Sequence, residues 1–391
     1  MFTLAVVIAA APLVIAVYAY VAYPVIVWAV ARIRPYGSAG RQGTEWPSIT
    51  ITVPVYNAVS SIRTTLERLL EVDYPRDRLQ LIVLSDASSD GTDEVVREFA
   101  HRGVELLRAP NRRGKTAAEN AAVAVARGDI IVNVDATVVV PAGSLKPLIR
   151  AFNDPTVGVV SGRDISVGAA GDRDKGAESG YTSYEMRLRD LETLAGSIVG
   201  ASGCFYGIRR KIRVSSLPVG LSWDFASTLV ARQQGYRSVS VPDASCLVPR
   251  TAEIKSELRR KVRTMARGIS TLFYLRALMN PFRYGSFAFM LISHKLLRWV
   301  PYLVLPAAIV ALGVLATRSN TAAVLLAVIA SGLLIGASVI LYGRSVRFRP
   351  LVLAGFVVAA LSAGFLAWID AIRGTRMATW DPTMRPSVTH G

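Results

Sequence analysis

Two cysteines, Cys204 and Cys246, are all the thiol this chain has, and their spacing matches no metal-ligand pattern. So sparse a supply suits a reducing compartment, where no disulfide is expected. Acidic residues are scarce too: 28 Asp and Glu stand against 45 Lys and Arg, a net charge of +17. Such an excess suits nucleic acid, anionic lipid or an acidic substrate. No nucleic-acid motif accompanies it, so nucleic acid is not an expected partner. The basic residues gather beside apolar segments and in Arg259-Arg260-Lys261-Val262-Arg263, which points to anionic headgroups of membrane lipid. Long low-complexity stretches and obvious internal repeats are missing as well.

Apolar surface is what the chain has in abundance: 52% hydrophobic residues and a mean hydropathy of +0.38, high for a purely soluble protein. Phe2 to Trp28 carries no charge and is long enough to cross a hydrocarbon core of roughly 30 Å. It lacks the basic n-region of a secretory signal, so residues 1–33 read as a retained anchor. Arg32, Arg34 and Arg41 follow at once, which places the polar domain in the cytoplasm and the N-terminus outside. Pro301–Ala316, Thr321–Tyr342 and Leu351–Ile369 fit about three further crossings within 301–372, the first of them short. Counting all three leaves the 373–391 tail outside, whereas Arg373, Arg376 and Arg385 favour the cytoplasm, so the number of C-terminal crossings stays open. A multi-pass plasma-membrane protein is expected.

Residues 251–300 read as interfacial. Leu258, Val262, Met265, Ile269 and Leu272 fall on one helical face, with Arg259, Arg263 and Arg267 beside them. Pro281–Arg298 mixes His294, Lys295 and Arg298 with aromatic and aliphatic residues.

Between the apolar ends, residues 46–250 alternate short β-rich runs with helical stretches, the pattern of an α/β domain with a mostly parallel sheet. Strands are expected at Ile49–Val53, Leu81–Leu84, Val104–Leu107, Ile130–Val134 and Val157–Val160. Helices are expected at Ser60–Glu71, Thr92–Ala100, Lys115–Ala126 and Ser144–Phe152. Asp86 and Asp135 close two of these strands, where open α/β sheets bind ligands. Pro54, Tyr56 and Asn57 follow the first strand, with the proline expected to stop its ladder. In the run from Asp86 to Thr92, Asp90 suits a helix cap as well as a ligand contact. Gly114 and Lys115 open a helix with backbone donors and a point charge suited to phosphate, without the glycine spacing of a Walker loop. A solvated basic turn explains them equally well. Asp224, in Leu221-Ser222-Trp223-Asp224-Phe225, fits a helix cap.

In order and spacing these segments resemble the membrane-bound family 2 glycosyltransferases, the group of the cellulose, hyaluronan and poly-N-acetylglucosamine synthases. The resemblance implies a GT-A domain with N- and C-terminal transmembrane helices. It implies an inverting transfer from a nucleotide sugar, with uridine diphosphate expected, to a glycan or lipid-linked acceptor in polysaccharide synthesis. Asp86 would contact the uracil-ribose part, Asp135 the metal-diphosphate part, and Lys115 would lie near the donor. Gly203 and Cys204, in Ala201–Arg209, would line the acceptor side, with Asp224 as general base. Arg267 resembles the arginine of a Gln-x-x-Arg-Trp element and would bind the diphosphate. The missing tryptophan favours single addition over processive elongation.

Where the family has Asp-x-Asp, this chain reads Asp135-Ala136-Thr137. Mg2+ or Mn2+ is therefore expected on Asp135 and Thr137 with the help of the diphosphate. Trp380-Asp381-Pro382-Thr383 resembles the family's C-terminal Trp-x-Pro-Thr. Four short crossings leave little material for a pore, so a secretion partner or a homo-oligomer is an open expectation. Transfer to a polyprenyl phosphate is the alternative chemistry, and a non-catalytic nucleotide-sugar-binding scaffold the alternative class.

Overall fold

The charge-free N-terminal stretch folds as one helical run, α1 (Phe2–Val17), a π-helical turn (Tyr18–Ala22) and α2 (Tyr23–Ile33). It is seen in a computed structural model of the chain, which describes residues 2–33, 46–167, 177–213, 216–249, 254–342, 348–374 and 379. Arg34, Arg41, Arg376, Arg385 and the Trp380–Thr383 motif lie outside the described residues. The chain divides into two compact units, Val27–Thr251 and a second made of Met1–Ile26 with Ala252–Thr375.

The first unit is built on a seven-stranded sheet in the order β3-β2-β1-β4-β6-β5-β7. Its elements in chain order are β1 (Ile49–Val55), α3 (Val59–Leu70), β2 (Leu79–Ser85), α4 (Thr92–Glu98), β3 (Val104–Arg108), α5 (Lys115–Val125), β4 (Ile130–Val134), α6 (Leu145–Arg150), β5 (Val157–Val167), α7 (Ala177–Ala195), β6 (Phe205–Arg209), α8 (Trp223–Gln233) and β7 (Arg237–Pro249). β6 runs antiparallel to β4 and β5, and the other pairings are parallel. Both faces are covered, which is why the first strands read as near-continuous Val, Ile and Leu. On one face Ile51, Val53, Val83 and Val132 pack against Ile62 and Leu66 of α3 and Leu148 of α6. On the other, Ile82 and Leu84 meet Ala118 and Ala122 of α5, while Ile131 and Ile208 meet Ala231 of α8. β1 has β2 on one side and β4 on the other, so the strand order reverses there and the C-terminal tips of β1 and β4 open a crevice.

Pro54 does not stop the ladder as expected: β1 continues through it to Val55, with Pro54 paired to Leu84. The Val55 carbonyl accepts from Asp86 N at 2.9 Å, so Val55 faces β2. By alternation the N–H that proline lacks would face β4, where pairing has already ended at Thr52–Asn133. β6, β7 and α7 were not expected as elements. β6 has Gly207 at its centre, and β7 is broken by exposed Pro242 and Asp243.

The second unit adds α9 (Ile254–Tyr274), α10 (Pro281–Tyr284), α11 (Ser286–Leu291), α12 (Leu297–Ala316), α13 (Asn320–Tyr342) and α14 (Arg349–Arg373). Among the described residues, four helical runs are long and apolar enough to cross a membrane: Phe2–Ile33, Ser286–Ala316, Asn320–Leu341 and Pro350–Arg373. The crossing expected at Pro301–Ala316 thus belongs to a 31-residue run that starts inside the stretch read as interfacial. Two of its polar residues, His294 and Arg298, are buried, and the Arg298 guanidinium lies 4.8 Å over the ring of Tyr20. Close packing joins the helices. Ala5 of α1 meets Ala311 and Leu315 of α12, and Trp368 Nε1 of α14 donates to Trp299 O of α12 at 2.8 Å.

Candidate functional site

The loops after β1 and β2 are stitched together by short side chains. Asn57 takes a left-handed conformation, φ 48°, which asparagine tolerates. Its amide oxygen accepts from Ser89 N at 2.9 Å, and its own N–H donates to Ser88 Oγ at 3.1 Å. Asp90 joins two helices: Oδ2 accepts from Val59 N, in the first turn of α3, and Oδ1 accepts from Thr92 N, in the first turn of α4, both at 3.0 Å. Burial alone would raise its carboxyl, but the bonds from Thr92 and Val59 outweigh it and hold the group below the usual range. Asp90 is therefore a double cap.

Asp90→Ala is expected to destabilise the domain by about 2 kcal/mol at neutral pH. The depressed carboxyl contributes in full above its unfolded value near ~3.9, and the contribution fades as pH falls through the lower folded value. Unfolding curves of wild type and variant should converge in acid. A gap that persists there would show that Asp90 acts by something other than its ionised cap.

Asp86 ends β2 with a fully buried side chain. Oδ1 accepts from Arg113 N at 2.7 Å and Oδ2 from Gly114 N at 2.8 Å, so both oxygens bind the loop before α5 rather than the crevice. Gly114 sits at φ 93°, a conformation an L side chain rarely adopts, and caps α5 with its carbonyl. Arg112, from the same loop, stacks its guanidinium 3.8 Å above the ring of Tyr56.

Lys115, the first residue of α5, is where the site converges. Its Nζ donates to Asp135 Oδ1 at 2.6 Å and to Gly203 O at 3.2 Å. Burial alone would lower its ammonium, but Asp135, Glu119 and Asp224 hold it above the ordinary lysine value. Asp135 follows β4, and its N–H donates to Cys204 O at 3.0 Å, tying the strand tip to the loop before β6. Asp224 lies in the first turn of α8, where Oδ1 accepts from Phe225 N at 2.8 Å and from the Ser222 hydroxyl. A Cβ at Gly203 would stand 2.8 Å from Asp224 Oδ2, so only glycine lets this carboxylate approach the loop. Asp135 and Asp224 thus meet Lys115 and Gly203, while Asp86 supports the site from the adjoining loop. Arg267 belongs to α9 of the second unit, where it is buried and its carbonyl accepts from Thr271 Oγ1 at 2.7 Å.

Metal fits only in part. Asp135 offers a carboxylate and Thr137, two residues on in the following turn, a hydroxyl. Among the described residues no group of three or more His, Cys, Asp or Glu is placed to hold an ion by itself. Mg2+ commonly binds through one or two carboxylates plus substrate phosphates, so Asp135 and Thr137 suit a divalent ion that arrives with a diphosphate.

Several residues of the site carried no recognisable motif. Asn120 holds the segment before α8: Nδ2 donates to Leu217 O at 2.7 Å, and Oδ1 accepts from Trp223 Nε1 at 2.7 Å. Glu119, Tyr206 and Arg213 are buried beside the same charges. In sequence, only the placement of Glu119 four residues after Lys115 on one helix hinted at this.

Comparison with known proteins gives this arrangement its place. Residues 50–214 match the model of glycosyl transferase family 2. The probable glycosyltransferase YdaM of Bacillus subtilis is 33% identical over 132 residues, which cover 32% of this chain and 31% of that protein. An N-acetylglucosaminyltransferase of Rhizobium sp. strain N33 is 24% identical over 268 residues, 61% of this chain and 57% of that one. The matched region thus spans between about a third and three fifths of these curated relatives. The mannosyltransferase PcManGT of Pyrobaculum calidifontis, solved in complex with GDP-Man and Mn2+, superposes with a TM-score of 0.71 at 24% identity, over 96% of this chain and 99% of that one. At that identity the likeness shows the fold, which is GT-A. Residues 50–214 are a glycosyl transferase family 2 domain.

Proposed function

We propose that the chain is an inverting glycosyltransferase that moves a sugar from a nucleoside diphosphate donor to a glycan or lipid-linked acceptor at the cytoplasmic face of the plasma membrane. One observation carries this: a lysine ammonium and two carboxylates from three different elements, Lys115, Asp135 and Asp224, meet around Gly203 at the strand tips. The Lys115 point charge suits a departing diphosphate. Asp224 has one oxygen fixed by Phe225 N and Ser222, which leaves the other to take the proton of an acceptor hydroxyl as it attacks the anomeric carbon. Attack opposite the leaving diphosphate inverts the sugar. Asp135 and Thr137 would hold Mg2+ or Mn2+, which supplies charge neutralisation to the diphosphate when bound. The cytoplasmic placement rests on the arginines at and just after the end of the first helical run, with Arg32 in its last turn.

The test is a screen of UDP- and GDP-sugars with purified full-length protein, with product mass measured. UDP is the donor implied by the sequence resemblance, and GDP-Man is the donor held by PcManGT. Sugar added to a glycan supports the reading, and a solvent-extractable phospholipid product moves the acceptor to a polyprenyl phosphate. Nucleotide binding without transfer or hydrolysis under either metal would overturn it in favour of a scaffold. Thr137→Asp, which restores a second carboxylate, is expected to tighten Mn2+ binding in the presence of UDP by about tenfold. An unchanged titration would remove residue 137 from the metal shell.

A further inference from the structure

Beneath Lys115 the domain buries charge that the reaction as described does not use. Thr52, Asn133 and Tyr206 stand at one register across β1, β4 and β6, and Thr52 Oγ1 donates to Asn133 Oδ1 at 3.1 Å. Glu119 of α5 and Arg213, between β6 and α8, are each 2% exposed. Lys115 and Arg213 both act on Glu119 and favour its charged form. Among the described residues, Glu119 Oε1, Asn133 Nδ2, the Tyr206 hydroxyl, and Arg213 Nε and Nη2 meet no hydrogen-bond partner. Buried charges left so poorly bonded destabilise a fold, and an apolar set of the same volume is often better tolerated. Their presence under the candidate site points to a role there.

Each charge touches one half of the site. Glu119 lies four residues after Lys115 on α5, so the two share a helix face, and Glu119 attracts the ammonium alongside Asp135 and Asp224. The Arg213 guanidinium stacks 4.3 Å from the ring centre of Trp223, the residue before Asp224. The indole N–H of Trp223 is tied to Asn120. Arg213 therefore fixes one face of Trp223 and Asn120 its edge, and together they set where α8 presents Asp224.

We propose that Glu119 and Arg213 are paired positioning residues, Glu119 aiming Lys115 at the donor diphosphate and Arg213 seating Asp224 against the acceptor. The inference rests on the glycosyltransferase reading and deepens it. Removing Glu119 takes away one of the three carboxylates that act on the Lys115 ammonium, so the cost falls on donor binding. Removing Arg213 loosens Trp223, so the cost falls on turnover.

The test uses the full chain, purified, with three variants: Glu119→Gln, Arg213→Met and the double. UDP and GDP affinity in Mn2+, release of nucleotide from the donor found by the screen, and melting temperature are measured on each. Glu119→Gln should weaken nucleotide binding about tenfold with turnover of bound donor little changed. Arg213→Met should lower turnover on the order of tenfold to a hundredfold with affinity preserved, and Arg213→Lys should recover part of it. Should either single variant fail to fold, the double variant, which removes both charges together, carries the test. It should fold and show both losses. Affinity and turnover falling in step with melting temperature, or neither changing, would overturn the inference while leaving the reading intact. Wild-type protein that binds neither UDP nor GDP would overturn both.

Discussion

Asp224→Asn is expected to lower sugar transfer by on the order of a thousandfold, with UDP or GDP affinity and melting temperature close to wild type. The geometry separates the two functions of this side chain. Oδ1 is held by Phe225 N at 2.8 Å and by the Ser222 hydroxyl, which makes it a local cap at the start of α8. Oδ2 lies toward Gly203, the glycine whose carbonyl also receives Lys115. An asparagine oxygen keeps the cap, so the fold loses little. The amide nitrogen that replaces Oδ2 has no lone pair to take a proton. Rates measured at saturating donor, beside nucleotide titrations and thermal melts, make the distinction. Turnover that survives the substitution would pass the base role to another group and leave Asp224 as a cap.

The same residue shows what could be read in advance. Asp224 follows a short motif, and Asp135 ends a run of Ile and Val whose strand is unmistakable, because both faces of its sheet are buried. The first four strands and the helices between them were legible for this reason, within a residue or two at their ends. β7 was not. Its burial alternates irregularly, its pairing with β5 shifts register, and Pro242 and Asp243 interrupt its apolar pattern. α7 escaped because a helix rich in Glu, Arg and Ser over Ala177–Ala195 carries a weak apolar stripe. In the site, Lys115 could be placed near a donor by resemblance, but its bond to Asp135 joins residues twenty apart and exists only once β4 and α5 are side by side. Asn120 and Arg213 act through such tertiary neighbours, so no spacing announced them, and for Glu119 only its place four residues after Lys115 on α5 gave a hint. The expectation for Asp86 was of another kind. Its place at a strand tip was right, yet a strand tip does not fix where a carboxylate turns, and here backbone donors claim it.

That difference yields the second large effect. Asp86→Ala should destabilise the domain by about 4 kcal/mol, since two hydrogen bonds to a charged group, each worth ~1.5–3 kcal/mol, are lost and the buried Gly114 N–H is left unpaired. For a domain of this size that is a fall of about 10 °C in melting temperature. Asp86→Asn should be nearly as damaging. Its amide keeps one acceptor but turns an NH2 toward the other backbone N–H, setting donor against donor. Loss of this brace frees the loop of Arg112, Arg113 and Gly114, and with it the start of α5 and Lys115. Affinity for UDP and GDP should therefore drop together and by similar factors. A side chain that read the base would behave otherwise. If Asp86→Asn melts like wild type yet changes the ratio of uridine to guanosine nucleotide affinity, Asp86 contacts the donor base and the brace is incidental.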